Sequence, residues 1–149
     1  MTSVISIETI NTYNLDQTAI TAAFNAASEM HDKWRANYIV EKGNIPRVKT
    51  TSDGSCDINQ PFKDIHPDYQ KANITMAEFV IKMIIKLFPL SDKTTYYHLI
   101  HEFWLTQNSY ALIDPLLNQS WVNLSESEQA KDILVFDICS AHYLQTGPD

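Results

Sequence analysis

Apolar residues recur along most of this chain at the three-to-four-residue spacing of a single helix face, and the places where that spacing fails mark the element boundaries. From about Asp16 to about Val40, the positions Ile20, Phe24, Ala27, Trp34 and Tyr38 fall within about 40° of one line at helical spacing. Gly43 and Pro46 then close the helix in the expected order. A second helix is predicted from about Pro67, proline being suited to the first helical position, to the Phe88–Pro89 boundary. Its stripe is Tyr69, Ala72, Met76, Val80, Met83 and Leu87. A third opens at Ser91 and lasts to about Asn108, and a short helical turn is expected around Asp114–Asn118. The fourth begins at Ser125, with Glu128 completing a Ser-x-x-Glu capping box, and runs to about Gln145 ahead of Gly147. Its centre, Ile133 to Cys139, is apolar nearly all round, which predicts a place in the middle of the fold.

Two segments escape this pattern. Residues 1–14, rich in Thr, Ser, Asn and Ile with a brief alternation through Ile5 and Ile7, read as an extended arm. Residues 44–66 read as a long loop of Gly, Pro, Asp, Ser and Asn, within which Pro46-Arg47-Val48-Lys49-Thr50-Thr51 is expected to be extended. A connection of that length inside a small domain is either ordered by its own contacts or functional. The fold class is therefore all-α, a bundle of about four main helices in one domain over 1–149, with an extended N-terminal arm and a long 44–66 loop.

Composition narrows the function classes. The 149 residues are 44% hydrophobic and include only 3 glycines, which argues against Gly-rich phosphate loops. The longest apolar run, Met83 to Leu87, is broken by Lys86 and spans no membrane, and no secretory signal is visible, so a cytoplasmic setting is the expectation. Two cysteines, Cys56 and Cys139, are too few for a disulfide framework or a cysteine-only metal site. Of the net charge of −7, residues 1–89 carry −1 (9 basic, 10 acidic) and residues 90–149 carry −6 (2 basic, 8 acidic). Such a surface repels phosphate backbones, so general nucleic-acid binding is not expected.

The chain also echoes itself. Met30-His31-Asp32-Lys33-Trp34 and Ile100-His101-Glu102-Phe103-Trp104 are each an apolar residue followed by His-acid-x-Trp, 70 positions apart. Further on, Phe62 meets Trp121, Ile65 meets Leu124, Gln70 meets Gln129 and Asn73 meets Asp132 at an offset of 59. Two helix–loop–helix halves, 16–89 and 90–149, would then differ by 11 residues in the loop. Against this, the stripe of the second helix maps onto Glu128, Lys131, Val135, Cys139 and His142, a poor apolar face.

His31 and Trp34 on one helix, Lys49 in a basic loop, and Phe62 and Ile65 leading into a returning helix resemble the RyR domain. This is the paired helical repeat of ryanodine receptors and of bacterial and phage proteins. His101, Trp104, Trp121 and Leu124 repeat the pattern, whereas Gly43 is followed by Asn44 where the family usually has a Gly-Trp pair. The resemblance implies a binding or interaction module rather than an enzyme.

Candidate chemistry is sparse. His31 faces the core, where an imidazole needs partners, and Asn73 is a candidate; His101 and Asp132 would be the corresponding pair. No nucleophile stands at a catalytic spacing, so no catalytic residue and no cofactor is assigned. For a metal the best set on offer is His98, His101, Glu102 and His142, which lacks any His-Glu-x-x-His or Glu-x-x-His spacing, so no metal is expected. The ligand-binding candidates are Arg35, Arg47 and Lys49 as cations, Trp34 and Tyr38 as stacking surfaces, and Asp57 and Asn59 in the segment that folds back. The alternative is that these cations pair with Asp32, Asp57 and Asp64 and merely staple the loop. Trp121 is either an interface residue or a plug for the end of the bundle. The leading functional expectation is a module that recognises an anionic small molecule or acidic partner segment through 44–62, as a monomer or homodimer. The alternative is an acidic inhibitor or immunity-type protein that binds another protein through its C-terminal half.

Overall fold

A computed structural model describes residues 6–146 and is mostly α-helical with one small β-hairpin. In chain order it contains α1 (Ile7–Asn11), α2 (Gln17–Lys42), β1 (Val48–Thr51), β2 (Gly54–Asp57), α3 (Pro67–Leu87), α4 (Thr94–Gln107) and α5 (Glu126–Thr146). Single 3₁₀ turns at Phe62–Asp64 and Trp121–Asn123 lead into α3 and α5.

The N-terminal arm corrects the first expectation. Ile5 lies outside the described residues, but from Ser6 the chain is helical, because the Ser6 hydroxyl accepts a hydrogen bond from the Thr9 amide and so caps the turn. Ile7 and Ile10, three apart, then dock on the core, and Ile10 is fully buried. What looked like period-two alternation is one helical turn.

Helix α2 starts and stops where its caps predict. The Asp16 carboxylate accepts from the Ala19 amide at 2.9 Å, and Gly43 leaves the helix at φ +90°, a conformation that L side chains rarely adopt. The face it buries is not the one its large residues predict. Ala19, Ala22, Ala23, Ala26 and Ala27 are sealed against α3 and α5, whereas Ile20 and Phe24 are 40% and 52% exposed. The buried line is rotated by roughly a quarter turn, at 100° per residue. The reason is steric: methyl side chains let two neighbouring helices approach the α2 backbone together, and bulkier residues are pushed to the margin. Phe24 keeps an edge-on contact with Phe62, with ring centroids 5.8 Å apart. From Ala27 onward the predicted line turns inward: Ala27 and His31 are buried, and Trp34 and Tyr38 are half-buried against the following connection.

Helix α3 opens with Pro67 after His66, whose Nδ1 accepts from the Asp68 amide, and buries Met76, Ala77, Phe79, Val80, Ile81, Met83 and Ile84. This face lies partly beside the predicted stripe, and the shift changes the comparison between the two halves. At an offset of 59, Ala77, Phe79 and Val80 meet Phe136, Ile138 and Cys139, and all six are buried. The other four buried residues of α3, Met76, Ile81, Met83 and Ile84, meet Val135, Ser140, His142 and Tyr143, none of which is buried, so the two faces correspond only in part. At the start of α5 only half of the predicted capping box forms: the Ser125 hydroxyl accepts from the Glu128 amide, while the Glu128 carboxylate pairs with Lys131. Stacked rings fill the space between α3, α4 and α5, with Phe79 on Phe103 at 4.1 Å and Tyr96 on Phe136 at 4.6 Å. Among the described residues no helix is long and apolar enough to cross a membrane.

The alanine face can be tested by enlarging it. Ala23→Leu is expected to cost about 1–3 kcal/mol in urea denaturation, because the close helix approach leaves no room. Ala36→Leu, on the exposed side of the same helix, should stay within about 0.5 kcal/mol of wild type. Equal effects at the two positions would contradict the packing described here.

Candidate functional site

The 44–66 connection is not structureless. Val48, Lys49, Thr50 and Thr51 pair antiparallel with Asp57, Cys56, Ser55 and Gly54. The signal was present in the chain, since Thr50-Thr51-Ser52-Asp53-Gly54 places an Asp-Gly turn beside β-branched residues. The hairpin is fastened to the start of α3 by the Ser52 amide on Asp68 Oδ2 (2.7 Å), by His66 Nε2 against Asp53 Oδ1 (2.7 Å), and by the Tyr69 hydroxyl on the Thr50 carbonyl (3.0 Å). Hydrogen bonds from Thr51 and His66 hold the Asp53 carboxyl below the usual range.

The other end of the connection is organised around Asn59. Its side-chain oxygen accepts from Arg35 Nε at 2.9 Å, its amide nitrogen donates to Asn44 Oδ1 and to the Ile45 carbonyl, and its backbone N–H donates to Asp57. Burial opposes ionisation of Asp57, but the amides of Arg47 and Asn59 outweigh it and hold that carboxyl low. Asn59, expected to contact a ligand, is buried with its amide fully engaged inside the protein. It positions the connection instead, and Asp57 acts with it.

The aromatic candidates form a ladder. His31 stacks on Trp34 at 5.6 Å, Trp34 stacks on Tyr38 at 5.1 Å, and the Tyr38 hydroxyl donates to the Pro46 carbonyl. The cations follow the staple alternative only in part. Among the described residues the charged groups of Arg35, Arg47 and Lys49 form no ion pair within 4.0 Å, yet the Arg47 backbone amide donates to Asp57 Oδ1 at 2.8 Å and the Arg35 charge helps hold the Asp57 carboxyl low. Arg47 immediately precedes β1 and Lys49 lies within it, near enough that the Arg47 charge acts on the Lys49 ammonium. Lys49 is half-buried, and burial together with the neighbouring Arg47 charge pulls its ammonium below the usual lysine range. Two concavities lie away from this face, one of about 490 Å³ beside Leu117 and Leu124 and one of about 230 Å³ beside Tyr13 and Ile20.

Both candidate histidines are sealed in the interior. His31 Nε2 lies 2.7 Å from the Gln60 carbonyl, and His101 Nε2 lies 3.0 Å from the Leu117 carbonyl. A carbonyl oxygen only accepts, so each Nε2 carries the proton. The partner expected for His31, Asn73, is replaced by this backbone bond. His101 Nδ1 does face Asp132, whose Oδ2 is 4.0 Å away, too far for a hydrogen bond. Burial pushes the Asp132 carboxyl up to about 7, with Glu128 adding to the rise and Lys131 opposing it. Each histidine stacks on the Trp three residues later, His101 on Trp104 at 6.0 Å.

Two hooks absent from the residue-by-residue reading of chemistry complete the correspondence. Gln70 Nε2 donates to the Phe62 carbonyl at 2.9 Å, and Gln129 Nε2 donates to the Trp121 carbonyl at 3.1 Å. Trp121 itself is buried, with its ring 5.0 Å from Tyr97 and its indole N–H without a partner, so it fills the interior and is not an exposed contact residue. Cys139 is buried and Cys56 sits half-buried on β2. His98, Glu102 and His142 are not drawn together with His101: among the described residues no three His, Cys, Asp or Glu side chains are grouped to hold a metal ion. His142 Nε2 lies instead 2.8 Å from Glu29.

Comparison with protein-family models finds no match, and no protein of established function matches at a significant level.

The Asp132 environment generates a pH dependence of defined sign. The folded-state value lies above that of an unfolded aspartate, so this carboxyl favours folding at low pH. That contribution is lost as pH rises from about 4 through about 7, at most about 4 kcal/mol in all. Asp132→Asn should therefore gain stability relative to wild type as pH rises from 5 to 8, read from urea midpoints at each pH. A constant difference between the two proteins would show that Asp132 ionises normally in the fold.

Proposed function

We propose that this protein is a helical binding module that receives an anionic group of a partner on the hairpin face formed by Arg47 and Lys49, beside the Trp34–Tyr38 ladder. The observation that carries this reading is uncompensated charge. In a chain of net charge −7, the Arg47 and Lys49 charges lie near one another and neither side chain is ion-paired among the described residues, with Lys49 half-buried. A like-charge pair at reduced hydration raises the energy of the free protein, and an incoming phosphate or carboxylate relieves it. The open form of this face suits an acidic segment of a partner better than an engulfed small molecule. Arg35, bonded to Asn59 through Nε alone, retains N–H groups for the same anion.

The resemblance to the RyR domain is in keeping with a module of this kind. So is the correspondence of the two halves, which we read as a helix–loop–helix unit used twice in one bundle, with the loops specialised differently. A histidine on a loop carbonyl, an aromatic residue opening a 3₁₀ turn and a glutamine hook on that turn are a specific set to meet by chance in both halves.

The test is titration of ¹⁵N-labelled protein with a Glu-rich peptide and, separately, with inorganic tripolyphosphate. Resonances of residues 44–60 should shift, the Lys49 ammonium should titrate at higher pH in the complex, and Arg47→Ala or Lys49→Ala should weaken binding about 10- to 100-fold. Saturable binding that both variants leave intact, or no shifts in this segment with either probe, would sink the reading.

A further inference from the structure

The connection between α4 and α5 differs in chemistry from its counterpart in the first half. Where the first half has a polar hairpin, the second exposes Tyr110, Leu112, Ile113, Leu116 and Val122 within thirteen positions, Ile113 at 88% and Leu116 at 73%. Of these, Leu116 lines the concavity of about 490 Å³, whose wall also includes Leu117, Leu124, Asp114 and Glu128. From 109 to 128 the chain carries three acids, Asp114, Glu126 and Glu128, and no Lys, Arg or His. Exposed apolar side chains scattered singly need no explanation, but a contiguous set beside a groove does.

The ledge is also held firmly. Asp114 accepts from the Leu116 amide, Asn118 donates to the Leu112 carbonyl, Gln119 donates to the Leu116 carbonyl, and His101 fixes the Leu117 carbonyl from below. Tyr110 rests edge-on against Trp104. A fixed apolar surface loses little conformational entropy when it is covered, which favours binding.

We infer that this ledge and groove dock a partner protein through a segment that interleaves apolar side chains with Lys or Arg. Charge decides among the occupants. An anionic lipid surface is disfavoured by three carboxylates of which only Glu128 has a cation beside it, Lys131. A second copy placed symmetrically would set acidic surface against acidic surface. A cationic amphipathic segment instead buries its apolar positions on Ile113 and Leu116 while its basic positions reach the Asp114 carboxylate, which no cation pairs among the described residues. The inference is independent of the hairpin face, because it uses none of the same residues.

The probe is a short fluorescent Leu/Lys amphipathic peptide, with a Leu/Glu peptide of the same pattern and an oligolysine as controls, added to the whole chain. We expect saturable binding of the Leu/Lys peptide alone, weakening as salt is raised, with resonance shifts confined to 110–128. Ile113→Asp and Leu116→Asp, both at exposed positions and so expected to fold normally, should each weaken binding by at least about tenfold, and Arg47→Ala should leave it unchanged. The inference is overturned by absence of saturable binding, by equal binding of oligolysine, by indifference to both Asp substitutions, or by shifts that map to the hairpin. Self-association that Ile113→Asp and Arg47→Ala both abolish would name a second copy, bound head to tail, as the occupant, and would overturn it as well.

Discussion

The fold depends on how closely three helices can approach one another, and that distance is set by five alanines. Ala19, Ala22, Ala23, Ala26 and Ala27 give α2 a face with almost no side-chain depth, and α3 and α5 both lie on it. Methyl groups contribute little apolar area individually, so the stabilisation comes from what the approach allows. The large side chains of α3 and α5 meet with α4 beyond them, and the rings of Phe79, Phe103, Tyr96 and Phe136 stack there. Placing large residues on this face would separate the helices and open the core. The same packing confines Ile20 and Phe24 to the rim, where Phe24 covers Phe62 at the entry to α3.

That preference explains which features were legible in the sequence. Most helix ends were readable because caps are local chemistry: Asp16, Gly43, Pro67 and Ser125 act within a few residues of themselves, whereas the start expected at Ser91 is displaced to Thr94, whose amide donates to Asp92. The buried face of α2 was not readable from the largest hydrophobes, since alanine ranks low on any scale that counts apolar bulk and its value here lies in being small. The N-terminal turn was misread because Ile7, which is spaced for a helix with Ile10, also alternates with Ile5 in the sequence. The hairpin was visible as an extended Pro-Arg-Val-Lys-Thr-Thr stretch, but its return strand, Gly54-Ser55-Cys56-Asp57, carries no strong strand formers, so the pairing partner went unseen.

Legibility was lowest for side-chain bonds to distant backbone. The seven candidate binding residues do cluster at the end of α2 and on the connection, yet they divide by role: Asn59 and Asp57 build the support, and the Arg47 and Lys49 side chains form no ion pair among the described residues. Nothing in the spacing of Asn59 announces four hydrogen bonds to four different groups. The same holds for Gln70 and Gln129, ordinary helix residues by composition whose amides reach eight positions back to a carbonyl. The charge asymmetry between the halves was legible, and it finds a structural counterpart in two unlike connections, one polar and balanced in charge, the other apolar and acidic.

The histidine bonds and the glutamine hooks have one further consequence. In each half the chain leaving a helix is pinned at its far side twice, once where an imidazole from the preceding helix reaches a backbone oxygen and once where the following helix clasps the aromatic turn. Everything before those clasps behaves as a cassette: its length and chemistry can change without altering the seam between the helices. One unit carries eleven more residues there than the other, and both enter their returning helix through the same turn. Such an architecture separates the surface that each connection presents from the packing that holds the helices together.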